Sequence, residues 1–288
     1  MASVESDLTV KVEIRCPACN KRGVIKVSDN LVNKNERGIT AVNVAEDLVC
    51  EHSFVAYIDK NLEVRDCFIC DFRLVLPKIG LGEEKKEIIP KDFDIDILKF
   101  NIIPSLMVYI LKGIIYGKKI VIISELGRLY KHFINFFNYL MKDTFKSEIG
   151  FLSESEYRDE KKEYKDHIVL QNKDIINGKD KIFNPKNTKI ESSIIQNFFG
   201  DSDPELALIK FKNEILKLFK ISQDLLIFNN NLKEDEEFFS KKALDYLNEK
   251  HNSKIPNSYL VLLLEIIENY FKVKLKKATK TGDLLGYI

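Results

Sequence analysis

The first 77 residues contain short runs in which apolar and polar positions alternate, which is the pattern of half-buried β-strands. A polar triplet, DKN at 59–61, separates two of these runs and predicts a hairpin with residue 53 opposite residue 67. We therefore expect a β-rich module over residues 1–77. Its predicted strands cover residues 10–15, 23–27, 39–44, 53–58 and 62–66.

A segment rich in glycine, proline and charge, PKIGLGEEKKEIIP, follows this module and predicts a linker over residues 78–93. Helical spacing of apolar residues then alternates with short apolar runs typical of buried strands. Ser153 and Glu156 have the spacing of a capping box. We expect an α/β domain with a short parallel sheet over residues 94–187. The expected helices are 95–116 (kinked or broken at Pro104), 129–140 and 153–166, and the expected strands are 118–124, 149–152 and 167–171.

A polar loop over residues 172–187 leads to a predicted helical region at 188–288. Thr188 and Glu191 have capping-box spacing, and Asp203 precedes a proline, which favours a capped helix start there. Further helices are expected at residues 235–250 and 257–271.

The composition is that of a globular protein, with 45% hydrophobic and 31% charged residues in 288. The net charge is +1, so no overall field favours DNA, RNA or an anionic membrane. The start, MASVESDLTV, lacks the segments of a signal peptide, and Pro104 and Lys112 interrupt the longest apolar run. We expect a cytoplasmic protein with no membrane span.

All five cysteines lie in the first quarter of the chain. An odd number without a secretion signal favours metal binding in a reducing cytosol over a disulfide framework. The stretch CPACNK holds Cys16 and Cys19 three positions apart, which is typical of a zinc knuckle whose turn directs two thiolates at one point. A knuckle supplies two of the four ligands that structural zinc requires.

Either Cys50 with His52 or Cys67 with Cys70 could supply the second pair of ligands. Side-chain direction favours the first pair, because residues i and i+2 of an extended strand point to one face. In CFICDFRLVL no glycine or turn former interrupts a continuous strand, so Cys67 and Cys70 would point oppositely and could simply be small buried hydrophobes. Four protein ligands leave no open position, so we expect a structural Zn²⁺ that contributes to folding. The expected ligands are Cys16, Cys19, Cys50 and His52.

The run CEHSFVAYIDKNLEVR after the upstream CPAC resembles an archaeal type of zinc-ribbon-headed protein. The resemblance extends over roughly residues 14–75 and implies the same four ligands. The chain departs from that type at Cys67 and Cys70. The type has no settled activity, so the resemblance implies a metal site and no function.

The other candidate positions favour structural roles. Ser124, after a buried strand, is expected to be the N-cap of the next helix, with phosphate binding as the alternative. His132, His167 and His251 are scattered over a helix, a strand and a loop, and no serine or cysteine nucleophile is recognisably paired with any of them.

Lysines alternate with apolar residues in KVKLKKATK near the end of the sequence. This pattern predicts an edge strand protected by lysines, and a nucleic-acid contact strip is the functional alternative. The lysines concerned are Lys272, Lys274, Lys276, Lys277 and Lys280.

We expect an α+β or α/β fold in which an N-terminal zinc ribbon precedes a small α/β domain with a helical C-terminal portion. The expected function is that of a non-enzymatic cytoplasmic adaptor or regulatory protein with a protein partner. The element order is similar to the core of DENN-type regulators of small GTPases, which implies a small GTPase as that partner. The alternatives are a nucleic-acid-binding zinc ribbon and an enzyme with a pocket at the strand ends near Ser124 and Leu152.

Overall fold

The chain contains both helices and strands and has a mixed α and β fold with small sheets. We call residues 9–69 the head and residues 89–275 the body. The computed structural model describes residues 9–33, 38–45, 47–69, 76, 89–125, 127–172, 174–178, 188–201, 203–232 and 238–275.

The head contains a two-stranded and a three-stranded antiparallel sheet. Side chains at alternate positions, such as Val12 and Ile14 on the first strand, are buried while their neighbours are exposed, as in strands with one covered face. Both sheets contribute to one apolar cluster. The elements are β1 (Thr9–Arg15), β2 (Arg22–Ser28), α1 (Asp29–Asn33), β3 (Ile39–Val44), β4 (Phe54–Asp59) and β5 (Val64–Ile69).

The hairpin between β4 and β5 is confirmed, but its turn is longer than predicted. The backbone N–H of Asp59 donates to the carbonyl of Glu63 (3.0 Å), and the N–H of Glu63 donates back to the Asp59 carboxylate (3.0 Å). The turn therefore closes at Glu63, and Cys67 lies opposite Ala56. The predicted pairing of residue 53 with residue 67 is wrong for this reason.

The body contains a four-stranded sheet in the order β7-β6-β8-β9. The central strand β6 is parallel to both neighbours and buried at every position. Ile120 and Ile122 face the main core, whereas Val121 and Ile123 contact Tyr157, so helices cover both faces. The elements are β6 (Ile120–Ile123), α4 (Tyr130–Leu140), β7 (Ile149–Leu152), α5 (Glu154–Glu160), β8 (Ile168–Gln171) and β9 (Asp174–Asn177).

Two predictions for this sheet region are corrected. Residues 174–177, predicted as loop, form an antiparallel edge strand, and the predicted helix 153–166 ends at Glu160. The side-chain amide of Asn177 donates to the carbonyls of Tyr164, Lys165 and His167 (each 2.9 Å). These bonds attach β9 to the irregular segment that precedes β8.

The sequence predicted that helix 95–116 would be either kinked or broken at Pro104, and the structure shows that it is broken. Helix α2 (Ile95–Asn101) ends before two extended residues, and α3 (Pro104–Ile115) starts at the proline, a favourable first helical position. Among the described residues, no single helix combines the length and apolarity needed to cross a membrane; α2 and α3, bent by 105°, pass that test only as a pair.

Four helices complete the body, and the 28-residue α7 is the longest of them. The Asp203 carboxylate caps α7 by accepting from two backbone N–H groups, which confirms that prediction. The predicted capping box of Thr188 and Glu191 is wrong, because the Glu191 side chain is buried against Lys112 instead of returning to the helix start. The helices are α6 (Lys189–Gly200), α7 (Pro204–Asn231), α8 (Ser240–His251) and α9 (Asn257–Asn269).

Strands β4 and β5 of the head contact helices α3 and α6 of the body. The Asp66 carboxylate of β5 accepts from the backbone N–H of Ser105 in α3 (3.0 Å). Tyr57 of β4 packs edge-to-face on Phe199 of α6, with 6.0 Å between ring centroids. The predicted divisions at residues 77, 93 and 187 stay predictions, and residues 77–88 and 179–187 lie outside the described part.

Candidate metal centre

The structure brings together the four side chains predicted from the sequence as metal ligands. One potential ligand atom from each of Cys16, Cys19, Cys50 and His52 lies within 4.8 Å of all the others. Two come from the turn between β1 and β2, and two come from the loop before β4. The cluster could therefore hold a metal ion.

The turn between β1 and β2 directs the first pair. The N–H of Cys16 donates to the carbonyl of Lys21, and the N–H of Asn20 donates to the carbonyl of Cys16 (both 2.9 Å). Asn20 has φ 63°, a left-handed conformation that asparagine tolerates better than most residues. The N–H of Ala18 also donates to the sulfur of Cys16 (3.4 Å).

The second loop brings Cys50 and His52 together. Their Sγ and Nδ1 atoms are 3.6 Å apart, and the N–H of Asp47 donates to the carbonyl of Cys50 (2.8 Å), which closes the loop. Val49 of this loop lies very close to Gly23, which is in β2 directly after the knuckle. A Cβ added at Gly23 would be 2.8 Å from a methyl of Val49. The lack of a side chain at Gly23 therefore permits this close approach.

The thiols of the cluster differ in exposure and acidity. Cys16 is fully buried, Cys50 is 8% exposed and Cys19 is exposed. A backbone hydrogen bond from Lys21 is the main cause that lowers the pKa of the Cys19 thiol to about 7. Burial is the main cause that raises the pKa of the Cys50 thiol to about 11. A cation would have to displace the proton from Cys50, and its charge would compensate for burying the thiolate.

The alternative cysteine pair is not part of this cluster as described. Cys67 lies in the continuous strand β5 and packs against the apolar cluster of the head, which agrees with the role of a small hydrophobe. Cys70 lies outside the described residues.

The other predicted positions are distributed over the body. Helix α4 has Leu129 as its N-cap, so the prediction that Ser124 caps this helix is wrong. Ser124 donates its backbone N–H to Leu152, and the carboxylate of Glu125 accepts from the N–H of Glu154 (both 3.0 Å). The segments that follow β6 and β7 are therefore hydrogen-bonded to each other at the carboxyl ends of these strands. A hollow of about 460 Å³ lies elsewhere, beside Tyr139 and Lys212.

The three remaining histidines lie on separate elements. His132 is on α4, His167 precedes β8, and His251 ends α8 with Nε2 at 3.0 Å from Asp224. Lys272 and Lys274 are exposed, but residues 272–275 form no strand, so the predicted edge strand is wrong there. The apolar side chains between the lysines pack on the body instead. Lys276, Lys277 and Lys280 lie outside the described residues.

A buried charge cluster in the body was missed. The Lys112 ammonium is fully buried and lies 2.8 Å from a carboxylate oxygen of Glu191 and 2.8 Å from one of Glu265. Its Nζ is also 4.8 Å from the ring centroid of Tyr116, whose pKa is raised by burial and by Glu265. The cluster joins α3, α6 and α9. The sequence signal that could have indicated this cluster was Lys112, a single charged residue within an otherwise apolar helix.

No protein-family model matches the chain, and no curated protein matches it. The geometry of the cluster and the chemistry of its donors therefore carry the functional argument.

Proposed function

We propose that Cys16, Cys19, Cys50 and His52 bind one Zn²⁺ as a structural centre. The observation that carries this proposal is the convergence of three thiols and one imidazole within 4.8 Å. Thiolate and imidazole ligands in a tetrahedral set favour zinc, whereas carboxylate and carbonyl oxygens favour magnesium and calcium. Four protein ligands close the coordination shell, which favours a structural role over a catalytic one.

The proposed site links the turn between β1 and β2 with the loop before β4. The head has a small apolar cluster, and two of its buried members, Cys16 and Cys50, are proposed ligands. Small modules with such cores commonly need a metal or disulfides to fold. The binding free energy of the ion would then be part of the folding free energy of the head. We therefore propose that the head is a zinc ribbon, the type of module that the sequence resembles.

The test is the zinc content of purified protein and of single variants, measured by elemental analysis and native mass spectrometry. Wild type should carry one zinc ion, and Cys16→Ser and His52→Ala should lose it. Cys67→Ser is the matched control, because this thiol lies in the same module outside the cluster, and it should retain zinc. Zinc retained by His52→Ala and lost from Cys67→Ser would overturn the ligand assignment.

For the whole chain we propose a non-enzymatic cytoplasmic adaptor or regulatory protein. Its support is that the three histidines of the described body lie on separate elements, and that the polar groups at the strand ends bind one another. The proposed partner is a small GTPase, from the analogy of element order. A pull-down with a panel of purified small GTPases in both nucleotide states tests it, and recovery of none would contradict it.

Nucleic-acid binding stays the alternative, and exposed Lys272 and Lys274 are the described part of its strip. If several lysines contact phosphates, affinity for an oligonucleotide must fall steeply with salt. If no binding to the oligonucleotide is measurable at low salt, the nucleic-acid alternative is excluded.

A further inference from the structure

Helix α3 receives its N-terminal cap from the head. The helix starts at Pro104, and its own N-cap residue, Ile103, has no side chain that can accept a hydrogen bond. The Asp66 carboxylate of β5 fills this role, with one oxygen accepting from the N–H of Ser105 and the other from the N–H of Cys67 (both 3.0 Å). Asp66 is only 4% exposed, so water is a poor substitute for this cap.

The strand that carries Asp66 is connected to the metal centre through β4. Strand β4 begins at Phe54, two residues after His52, and it pairs Tyr57 with Asp66. Phe54 belongs to the same buried cluster as the proposed ligands Cys16 and Cys50. The position of β4, and with it the position of Asp66, therefore depends on the loop that the metal would hold.

The other face of the same sheet contacts the body a second time. Tyr57 stacks on Phe68, with ring centroids 5.6 Å apart and planes within 5°, and its edge meets Phe199 of α6. The three-stranded sheet thus has the metal loops at one face and the body at the other. Inside the body, α3 and α6 are joined by the ion pair of Lys112 and Glu191.

We propose that metal occupancy of the head and capping of α3 are energetically coupled through Asp66, so that the head is a metal-responsive element acting on the helical body. This inference rests on the proposed metal site. The structure shows the first turn of α3 capped by Asp66, and the proposal requires an uncapped arrangement as its alternative. Metal binding favours the capped arrangement because it orders the loop before β4. By thermodynamic reciprocity, loss of the cap must weaken metal binding by the same factor.

The first experiment measures the zinc affinity of the full chain by competition with a chromophoric chelator. Asp66→Ala should raise the zinc Kd at least about fivefold, the lower end of typical coupling between sites. Asp66→Asn keeps one acceptor and should give a smaller increase. Asp94→Ala is the matched control, because Asp94 caps α2 by accepting from Ile97 (2.9 Å) in the body alone, and its Kd should equal that of wild type.

The outcomes separate the two proposals. If wild type binds no zinc, the metal site itself is contradicted. If wild type and Asp66→Ala bind zinc with equal affinity, the site stands and the coupling is overturned. An equal loss of affinity in Asp94→Ala would also overturn the coupling, since a general weakening of the body would then explain both.

Hydrogen exchange of the zinc-loaded and zinc-free wild type provides the reciprocal measurement, and it does not depend on whether a variant folds. Zinc should protect the amides of the first turn of α3 and leave those of α9 unchanged. In zinc-loaded protein, Asp66→Ala should remove this protection, whereas Asp94→Ala should not, because the Asp94 carboxylate caps α2 by accepting from Ile97 within the body. Exchange in α3 that is identical with and without zinc would overturn the proposal.

Discussion

Twelve described side chains form the main buried cluster of the head, and 45 form that of the body. Two of the twelve, Cys16 and Cys50, are thiols of the candidate metal centre. The body instead buries the ion pair of Lys112 and Glu191 among its apolar side chains, with the partly exposed Glu265 as a second partner of the lysine. We therefore expect the stability of the head to depend on the candidate metal centre and that of the body to depend on its larger hydrophobic core.

Removal of the metal should give the largest difference between the two regions. Apparent zinc-binding free energies in small zinc modules are about 10–16 kcal/mol, more than a core of this size supplies by itself. A strong chelator should therefore abolish the protection of β1 and β2 against hydrogen exchange and leave that of α7 in place. Equal protection of the head with and without zinc would contradict a structural role.

Lys112→Met should strongly destabilise the body. It leaves Glu191 and Glu265 without their buried cation, and breaking a buried ion pair in this way costs about 3–5 kcal/mol. Burial already raises the pKa of the Glu191 carboxyl despite the opposing charge of Lys112. Urea unfolding of the zinc-loaded protein measures the cost.

Lys119→Met is the matched control for that substitution. Lys119 pairs with Glu148, but both side chains are more than half exposed, so the loss should be at most about 1 kcal/mol. A cost for Lys112→Met as small as that for Lys119→Met would show that the buried cluster does not stabilise the body.

Gly23→Ala should disturb the head where β2 contacts the loop before β4. The new methyl group would lie 2.8 Å from a methyl of Val49, the neighbour of Cys50, and overpacking of this kind costs about 1–3 kcal/mol. We expect weaker zinc binding in the chelator competition. Gly200→Ala, where an added Cβ has no atom within 4 Å, should leave zinc binding unchanged.

Ser153→Ala should have a small effect confined to α5. The hydroxyl of Ser153 accepts from the N–H of Glu156 (3.2 Å), and the Glu156 carboxylate accepts from the N–H of Ser153 (2.7 Å). Loss of an N-cap hydroxyl costs about 1 kcal/mol. Thermal unfolding should show a small decrease in Tm with unchanged zinc content, and a loss of zinc would contradict the separation of the two regions.

The four residues of the candidate centre could be brought together from sequence because the decisive signals are local. The Cys-x2-Cys spacing identifies a knuckle, and the short spacing of Cys50 and His52 identifies the second pair. The structure brings this pair together in a closed loop before β4, not in the extended segment that was predicted. The hairpin register was wrong because it depends on hydrogen bonds between Asp59 and Glu63, which a count of turn residues does not contain.

The buried cluster shows what local patterns cannot supply. Thr188 and Glu191 have the spacing of a capping box, but the carboxylate of Glu191 bonds to Lys112, which is distant in sequence. Local spacing was sufficient at Ser153 and Glu156, because no buried cation competes for that exposed carboxylate. The difference between these two sites is tertiary, so an isolated motif could not predict it.

X-ray absorption at the zinc edge of the purified wild-type protein tests the central claim most directly. Coordination by Cys16, Cys19, Cys50 and His52 predicts three sulfur atoms at about 2.3 Å and one nitrogen atom at about 2.0–2.1 Å. A shell of four sulfur atoms would contradict this ligand set and would assign the second pair to Cys67 and Cys70.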